Sequence, residues 1–253
     1  MFKNIIVRPP CRQMVNGISN ANLGKPVYEI ALKQHREYIR TMEKCGVQVH
    51  SLPADESYPD STFIEDTAVL TEKMAIITNP GADSRKGEEL AVANKLGEFY
   101  NRVHRIQAPG SCEGGDVMRV ADHFYIGLSE RTNTEGTEQF IAILEQYGYT
   151  GSSVEMSEML HLKTGLSYLE NKNLLITGEF LSNPVFNQFN RLIVPSEESY
   201  AANSIWVNDT VIVPAGFPKT QKMISEAGYM VLTVELSEFQ KLDGGLSCLS
   251  LRF

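Results

Sequence analysis

Apolar residues in this 253-residue chain fall into short runs, most of them paired across a brief polar gap. Ala68–Leu70 and Met74–Ile77 flank a turn at Thr71-Glu72-Lys73, and Val117–Val120 and His123–Gly127 flank Ala121-Asp122. Leu166–Leu169 precedes Asn173–Ile176, and Ile205–Val207 and Thr210–Val213 flank Asn208-Asp209. Each pair reads as a β-hairpin. Val47–Leu52 alternates as a strand, and Met1–Arg8, Val103–Ile106 and Met230–Val234 read as further single strands. Between hairpins and single strands the apolar period shifts to that of a helix. Val27, Ile30, Tyr38, Ile39 and Met42 share such spacing, with Pro26 near the first turn and Gly46 as the stop. A second helix is expected after the polar segment 79–86, with Glu88 and Glu89 in a first turn that favours negative charge. Thr132 and Glu135 predict a capping box for a third, which buries Phe140, Ile141 and Leu144 and closes at Gly148. Met223 and Ile224 belong to a fourth, closing at Gly228.

The order hairpin, helix, strand recurs. Its entrances fall at Glu65, Glu113, His161, Asn203 and Cys248, separated by 48, 48, 42 and 45 residues. A repeat of this size built from such units indicates a closed radial array. The first strand and helix would complete a fifth unit with the C-terminal hairpin position. No linker or low-complexity stretch interrupts the pattern, so one domain over residues 1–253 is expected.

Composition narrows the partners. A formal charge of −8 and a pI near 5.2 argue against nucleic acid, since no basic patch exists to neutralise phosphates. The N-terminal apolar run is too short for a signal peptide, and none approaches the roughly 18 residues of a membrane span. Cys11, Cys45, Cys112 and Cys248 form no C-x-x-C pair and no zinc-type spacing. A reduced, cytoplasmic chain without a structural metal is expected.

In a radial array, equivalent positions of successive units meet around the axis. The entrance residues are Glu65-Asp66, Glu113, His161 and Cys248. Alone, each has a plain structural explanation: a turn acid, a satisfied histidine, a small buried thiol. Together they make a nucleophile and a general acid/base facing carboxylates. Carboxylates suit a planar cation and would repel the oxyanion of acyl transfer, so the implied chemistry is attack on a guanidinium carbon. Asp66 and Glu113 near Cys248 should hold the resting thiol protonated until a cation arrives.

Four motifs, Phe63-Ile64-Glu65-Asp66-Thr67, Glu113-Gly114-Gly115-Asp116, His161-Leu162-Lys163-Thr164 and Asp243-Gly244-Gly245-Leu246-Ser247-Cys248, stand in this order. With them the chain resembles, over essentially its whole length, the guanidine-modifying pentein enzymes, and among these the bacterial dimethylarginine dimethylaminohydrolase family. The resemblance implies a five-bladed α/β propeller of ββαβ repeats with pseudo-fivefold symmetry. It implies hydrolysis of Nω,Nω-dimethyl- or Nω-methyl-L-arginine to citrulline and the methylated amine through an S-alkylthiouronium on Cys248, without metal or organic cofactor. His161 would shuttle protons, Glu113 would orient it and contact the guanidinium, and Asp66 would bind guanidinium nitrogens with Glu65 and Asp60 assisting. Arg85 and Arg131 match positions holding the substrate carboxylate, and Phe63 one packing against the guanidino group. Ile18 and Leu242 match contacts to the amino-acid end; Ile18 replaces a leucine often found there and lies in a loop that reads equally as a mobile lid or as an ordinary surface loop. The implied partner is thus a small methylated arginine, with no nucleic acid or membrane, and a homodimer is compatible with the chain. The alternatives are a compact arginine deiminase, although those enzymes typically carry an extra helical domain, and a non-catalytic propeller that binds a partner.

Overall fold

The hairpins place their third strands according to one rule throughout. In the computed structural model, which describes residues 1–253, five three-stranded sheets each join an antiparallel pair to a parallel third strand. The N-terminal segment supplies β1 (Asn4–Val7), α1 (Tyr28–Lys44) and β2 (Gln48–Ser51). The first full unit is β3 (Ala68–Leu70), β4 (Ala75–Ile77), α2 (Glu89–Leu96) and β5 (Val103–Arg105). The second is β6 (Val117–Val120), β7 (His123–Leu128), α3 (Thr134–Glu145) and β8 (Thr150–Glu155). The third opens with the one-turn α4 (Leu162–Gly165) and contains β9 (Leu166–Tyr168), β10 (Asn173–Ile176) and β11 (Asn190–Ile193). The fourth is β12 (Ile205–Val207), β13 (Thr210–Pro214), α5 (Pro218–Glu226) and β14 (Met230–Val234); after the short α6 (Ser237–Gln240), β15 (Leu251–Arg252) returns to β1. Sheet order β15-β1-β2 makes the fifth blade from both ends of the chain.

The middle strand of every sheet is apolar on both faces, and that is what closes the ring. Alternate residues of β4 feed two cores: Ala75 and Ile77 one, Ile76 the next. The same holds for Phe124 and Ile126 against Tyr125, for Leu174 and Ile176 against Leu175, and for Ile212 against Val211 and Val213. In β1, Ile5 and Val7 face one core and Ile6 the other. Five apolar clusters therefore occupy the five seams between neighbouring blades. This is why the central runs read as continuously apolar rather than alternating. The β12–β13 turn carries Asn208 at φ 50° and Asp209 at φ 67°, the left-handed pair a two-residue hairpin requires.

Three local expectations are corrected. The third unit has no α-helix between β10 and β11. Instead, two 3-10 turns, Gly178–Ser182 and Pro184–Gln188, drive Phe180 and Phe186 into the core, and Pro184 follows an Asn183 cap that would end any longer helix. Thr132 does not cap α3: Asn133 does, accepting from the Gly136 N–H, while the Thr132 hydroxyl turns inward to Asp116. Glu88 stands at the N-cap position of α2 rather than within its first turn, and is buried against Arg85. No helix is long and apolar enough to cross a membrane.

Candidate active site

The segments leading into the blades, Ile64–Thr67, Gly114–Asp116, α4, Ser196–Ala202 and Ser247–Leu249, pack on one another at one end of the ring. A cleft opens beside them. Its wall brings together Ile18, Asp60, Phe63, Asp66, Arg85, Glu113, Arg131, His161, Leu242 and Cys248. Ten of the eleven site residues read from the sequence thus share one cavity. Glu65 is the exception. Its Oε1 accepts from Lys163 Nζ (2.5 Å) and Arg252 Nη2 (3.1 Å), and its Oε2 from Ser247 Oγ (2.6 Å), so it stands behind the nucleophile rather than on the cleft wall.

His161 and Glu113 form a buried pair, Nε2 to Oε2 at 2.7 Å. Glu113 Oε1 accepts from the Gly81 N–H at 3.0 Å and lies 3.8 Å from Arg131 Nη1. Burial opposes charge on both partners. For His161, Asp66, Asp116 and Glu113 outweigh it and raise the imidazole to about 9. For Glu113, the hydrogen bond and charge of His161, with Arg85 and Arg131, hold the carboxyl well below its ordinary range. The pair is therefore ionic at neutral pH. Gly115 lets it sit against Asp66: a Cβ there would lie 2.7 Å from His161 Nδ1 and 2.8 Å from Asp66 Oδ1.

Asp66 accepts from Arg85 Nη1 (2.6 Å) and the Gly115 N–H (2.9 Å). Arg85 also donates to Glu88 and to the Phe63 carbonyl, which commits four of its five N–H groups within the protein. Arg131 makes only the long contact to Glu113 and keeps its donors for the cleft. Cys248 receives the Gly245 N–H at 3.4 Å. Burial, then Glu65 and Asp66, push its thiol up to about 12, against the opposing pull of Gly245 and Lys163. The second carboxylate acting on the thiol is thus Glu65, where the sequence had suggested Glu113.

The loop over the cleft is tied down by short bonds. The Ile18 N–H donates to Asp60 Oδ1 (3.1 Å), Ser19 Oγ to the Lys241 carbonyl (2.6 Å) and the Asn20 N–H to Asp243 Oδ2 (2.6 Å). Asn20, Leu160, Asp243 and Gly244 also line the cleft, unsignalled by the spacing of the entrances. Asn203 was visible as an entrance position but had no role; its side chain receives the Ser247 N–H (2.9 Å) and donates to Ser247 Oγ (3.1 Å), gripping the residue before the nucleophile. Asp66, Glu113 and His161 bring potential ligand atoms within 4.8 Å of one another. Those atoms are already engaged with each other, with Arg85 and with Gly115, so the group is a hydrogen-bonded network before it is a cation cage.

A family profile described as "N,N dimethylarginine dimethylhydrolase, eukaryotic" matches residues 16–185. The chain is 54% identical to N(G),N(G)-dimethylarginine dimethylaminohydrolase of Pseudomonas aeruginosa, with all of both chains covered. It is 30% identical to the protein of the same name from Streptomyces coelicolor, covering 99% of this chain and 96% of that one. The structure superposes with a TM-score of 0.99 on a cysteine-to-serine mutant of the Pseudomonas aeruginosa enzyme complexed with citrulline, again covering all of both chains. The N-terminal domain of ArgZ, an arginine dihydrolase bound to its product, is similar in fold alone: TM-score 0.89 at 21% identity, over 100% of this chain and 97% of that one.

Proposed function

The chain belongs to the dimethylarginine dimethylaminohydrolase family, and from that premise we propose how its residues divide the work. The enzyme hydrolyses Nω,Nω-dimethyl-L-arginine and Nω-methyl-L-arginine to L-citrulline and the methylated amine. The observation that supports the division of roles is the convergence of one thiol, one imidazolium–carboxylate pair and further carboxylates on a cleft that also presents an arginine fork.

Asp66 and Glu113 accept N–H groups of the substrate guanidinium, Phe63 flanks its plane, and Arg131, with the remaining N–H of Arg85, holds the carboxylate. Asp60, Ile18 and Leu242 enclose the amino-acid end. The incoming cation offsets the field of Glu65 and Asp66, so the thiol can release its proton to solvent and the thiolate sulfur can attack the guanidinium carbon. His161 Nε2 is tied to Glu113, which leaves Nδ1 to deliver a proton to the departing amine as the C–N bond breaks. Nδ1 then takes a proton from water, whose oxygen attacks the thiouronium carbon; the C–S bond breaks and citrulline leaves.

Product analysis tests this. The purified protein is incubated with asymmetric dimethylarginine, monomethylarginine and arginine beside a Cys248→Ser control. Citrulline and dimethylamine, absent in the control, are expected. Citrulline and ammonia from arginine alone would make it a deiminase, and no citrulline at all would remove the reading.

A further inference from the structure

Behind the His161–Glu113 pair lies a carboxylate that never reaches the cleft. Asp116 is fully buried. Its Oδ1 accepts the backbone N–H of Leu162, the residue after His161, at 2.9 Å. Its Oδ2 accepts from Thr132 Oγ1 at 2.6 Å and from Ser129 Oγ at 2.7 Å. Both hydroxyls pass the constraint on. Thr132 Oγ1 receives the backbone N–H of Glu113 at 3.1 Å, and Ser129 Oγ receives that of Arg131 at 3.0 Å. One side chain therefore ties the backbone of Leu162, next to His161, directly, and that of the cleft residues Glu113 and Arg131 through two hydroxyls, across three segments.

We propose that Asp116 is a positioning residue for proton delivery: it holds the backbone of His161 and Glu113 in register, so that the imidazolium meets the departing amine. Three features carry this. The bonds reach the main chain, directly at Leu162 and through Thr132 and Ser129 at Glu113 and Arg131, so they set where the side chains start and not merely whether they pack. A turn needing only local closure would use one such bond; this carboxylate uses all three to join sequence-distant segments. And the groups facing His161 are Asp66 and Glu113 from the entrance segments, Cys248 across the cleft and Asp116 from behind, so Asp116 is the only one of the acids free of any contact with the cleft. The inference rests on the proposed reaction, in which the C–N bond breaks as nitrogen takes the electron pair and a proton from His161.

Leaving-group dependence separates positioning from mere stability. Dimethylarginine expels an amine that must be protonated. S-methyl-L-thiocitrulline expels methanethiolate as the cysteine S–C bond forms, with little call for a proton. In Asp116→Asn, kcat for dimethylarginine should fall about tenfold or more with KM within about twofold, while adduct formation from S-methyl-L-thiocitrulline, followed by acid quench and mass spectrometry, falls much less. Thr132→Val should reproduce that pattern and Thr132→Ser should recover most of the loss; this pair decides the matter if Asp116→Asn does not fold. Equal losses on both substrates, or no loss on either, would overturn the inference while leaving a wild type active on dimethylarginine. A wild type inert toward dimethylarginine would overturn the proposed reaction, and this inference with it.

Discussion

The thiol pushed up to about 12 has a measurable consequence for alkylation by a small neutral reagent. At pH 7 such a group is thiolate in only about one molecule in 10⁵, against about 3% for a free cysteine with a pKa near 8.5. The deficit is roughly 3,000-fold. A more basic thiolate is intrinsically more nucleophilic, with a Brønsted slope of about 0.4–0.5, which returns a factor of roughly 40. Cys248 should therefore react with iodoacetamide about a hundredfold more slowly than free cysteine, with a rate still rising at pH 9. An amidinium-bearing alkylator should lose most of that handicap, because it brings the charge that Glu65 and Asp66 call for. The free energy it must supply is at most about 7 kcal/mol, and less where cleft water screens the sulfur. Glu65→Gln, which removes the larger carboxylate contribution and leaves Lys163 beside the site, should speed the neutral reagent and move its pH profile down. The assay is the rate of mass increase at Cys248 as a function of pH for both reagents and both proteins. A wild-type rate that is flat below pH 7 and at least as fast as free cysteine would refute the reasoning.

The two arginines should part company: Arg131→Ala raises KM by about ten- to a hundredfold with little change in melting temperature, whereas Arg85→Ala leaves Asp66 and Glu88 buried without their partner and destabilises by about 3–5 kcal/mol. Denaturant titration beside steady-state kinetics distinguishes them, and equal destabilisation by both would contradict the contact geometry. Gly115→Ala places a methyl against His161 Nδ1 and Asp66 Oδ1 and should abolish most turnover in a protein that still melts cooperatively; full activity would mean the imidazole does not need that position. The His161–Glu113 pair also links stability to pH. His161 is raised in the fold, so its contribution is complete below its ordinary 6.5 and is lost as pH climbs through about 9. Glu113 is lowered, so its contribution is complete above its ordinary 4.5 and is lost as pH falls toward its depressed folded value. The melting temperature of wild type minus that of Glu113→Gln should be greatest between these ordinary values, and a difference that does not vary with pH would discount the ion pair.

The ring was legible because its central strands are apolar on both faces and its turns carry residues such as Asn208 and Asp209 that tolerate positive φ. The meeting of Glu113, His161 and Cys248 followed from spacing, and most finer contacts from resemblance. What stayed hidden shares one physical cause: an acid or hydroxyl in a sequence does not declare its partner. Thr132 and Glu135 spelled a helix cap, but the hydroxyl bonds to an aspartate sixteen residues away, and Asn133 does the capping. Glu88 looked like a charge favoured by a helix start until Arg85 was found folded against it. Glu65 stood beside Asp66 in one motif, yet the 3-10 turn of Ile64–Thr67 sends neighbouring side chains to different sides, one to the cleft and one to Ser247 and Lys163. Pro184 was available as a warning that the third blade would lack its helix.

The strand pairing that closes the fifth blade is short, supplemented on the same arm by the bonds of Ser247 to Asn203 and Glu65 and of Arg252 to Glu65. Only Ile5 with Arg252 and Ile6 with Leu251 align across β1 and β15, aided by the Lys3 and Asn4 N–H groups on the Phe253 carbonyl. The nucleophile lies three residues ahead of that last strand, on the same arm of chain. A fluctuation that frees this arm carries the sulfur away from an imidazole and carboxylates mounted on other blades, whose four sheets can remain paired. Catalytic competence is thus a property of ring closure at one seam, and on warming or dilution into denaturant it should fade ahead of the cooperative loss of the blades themselves.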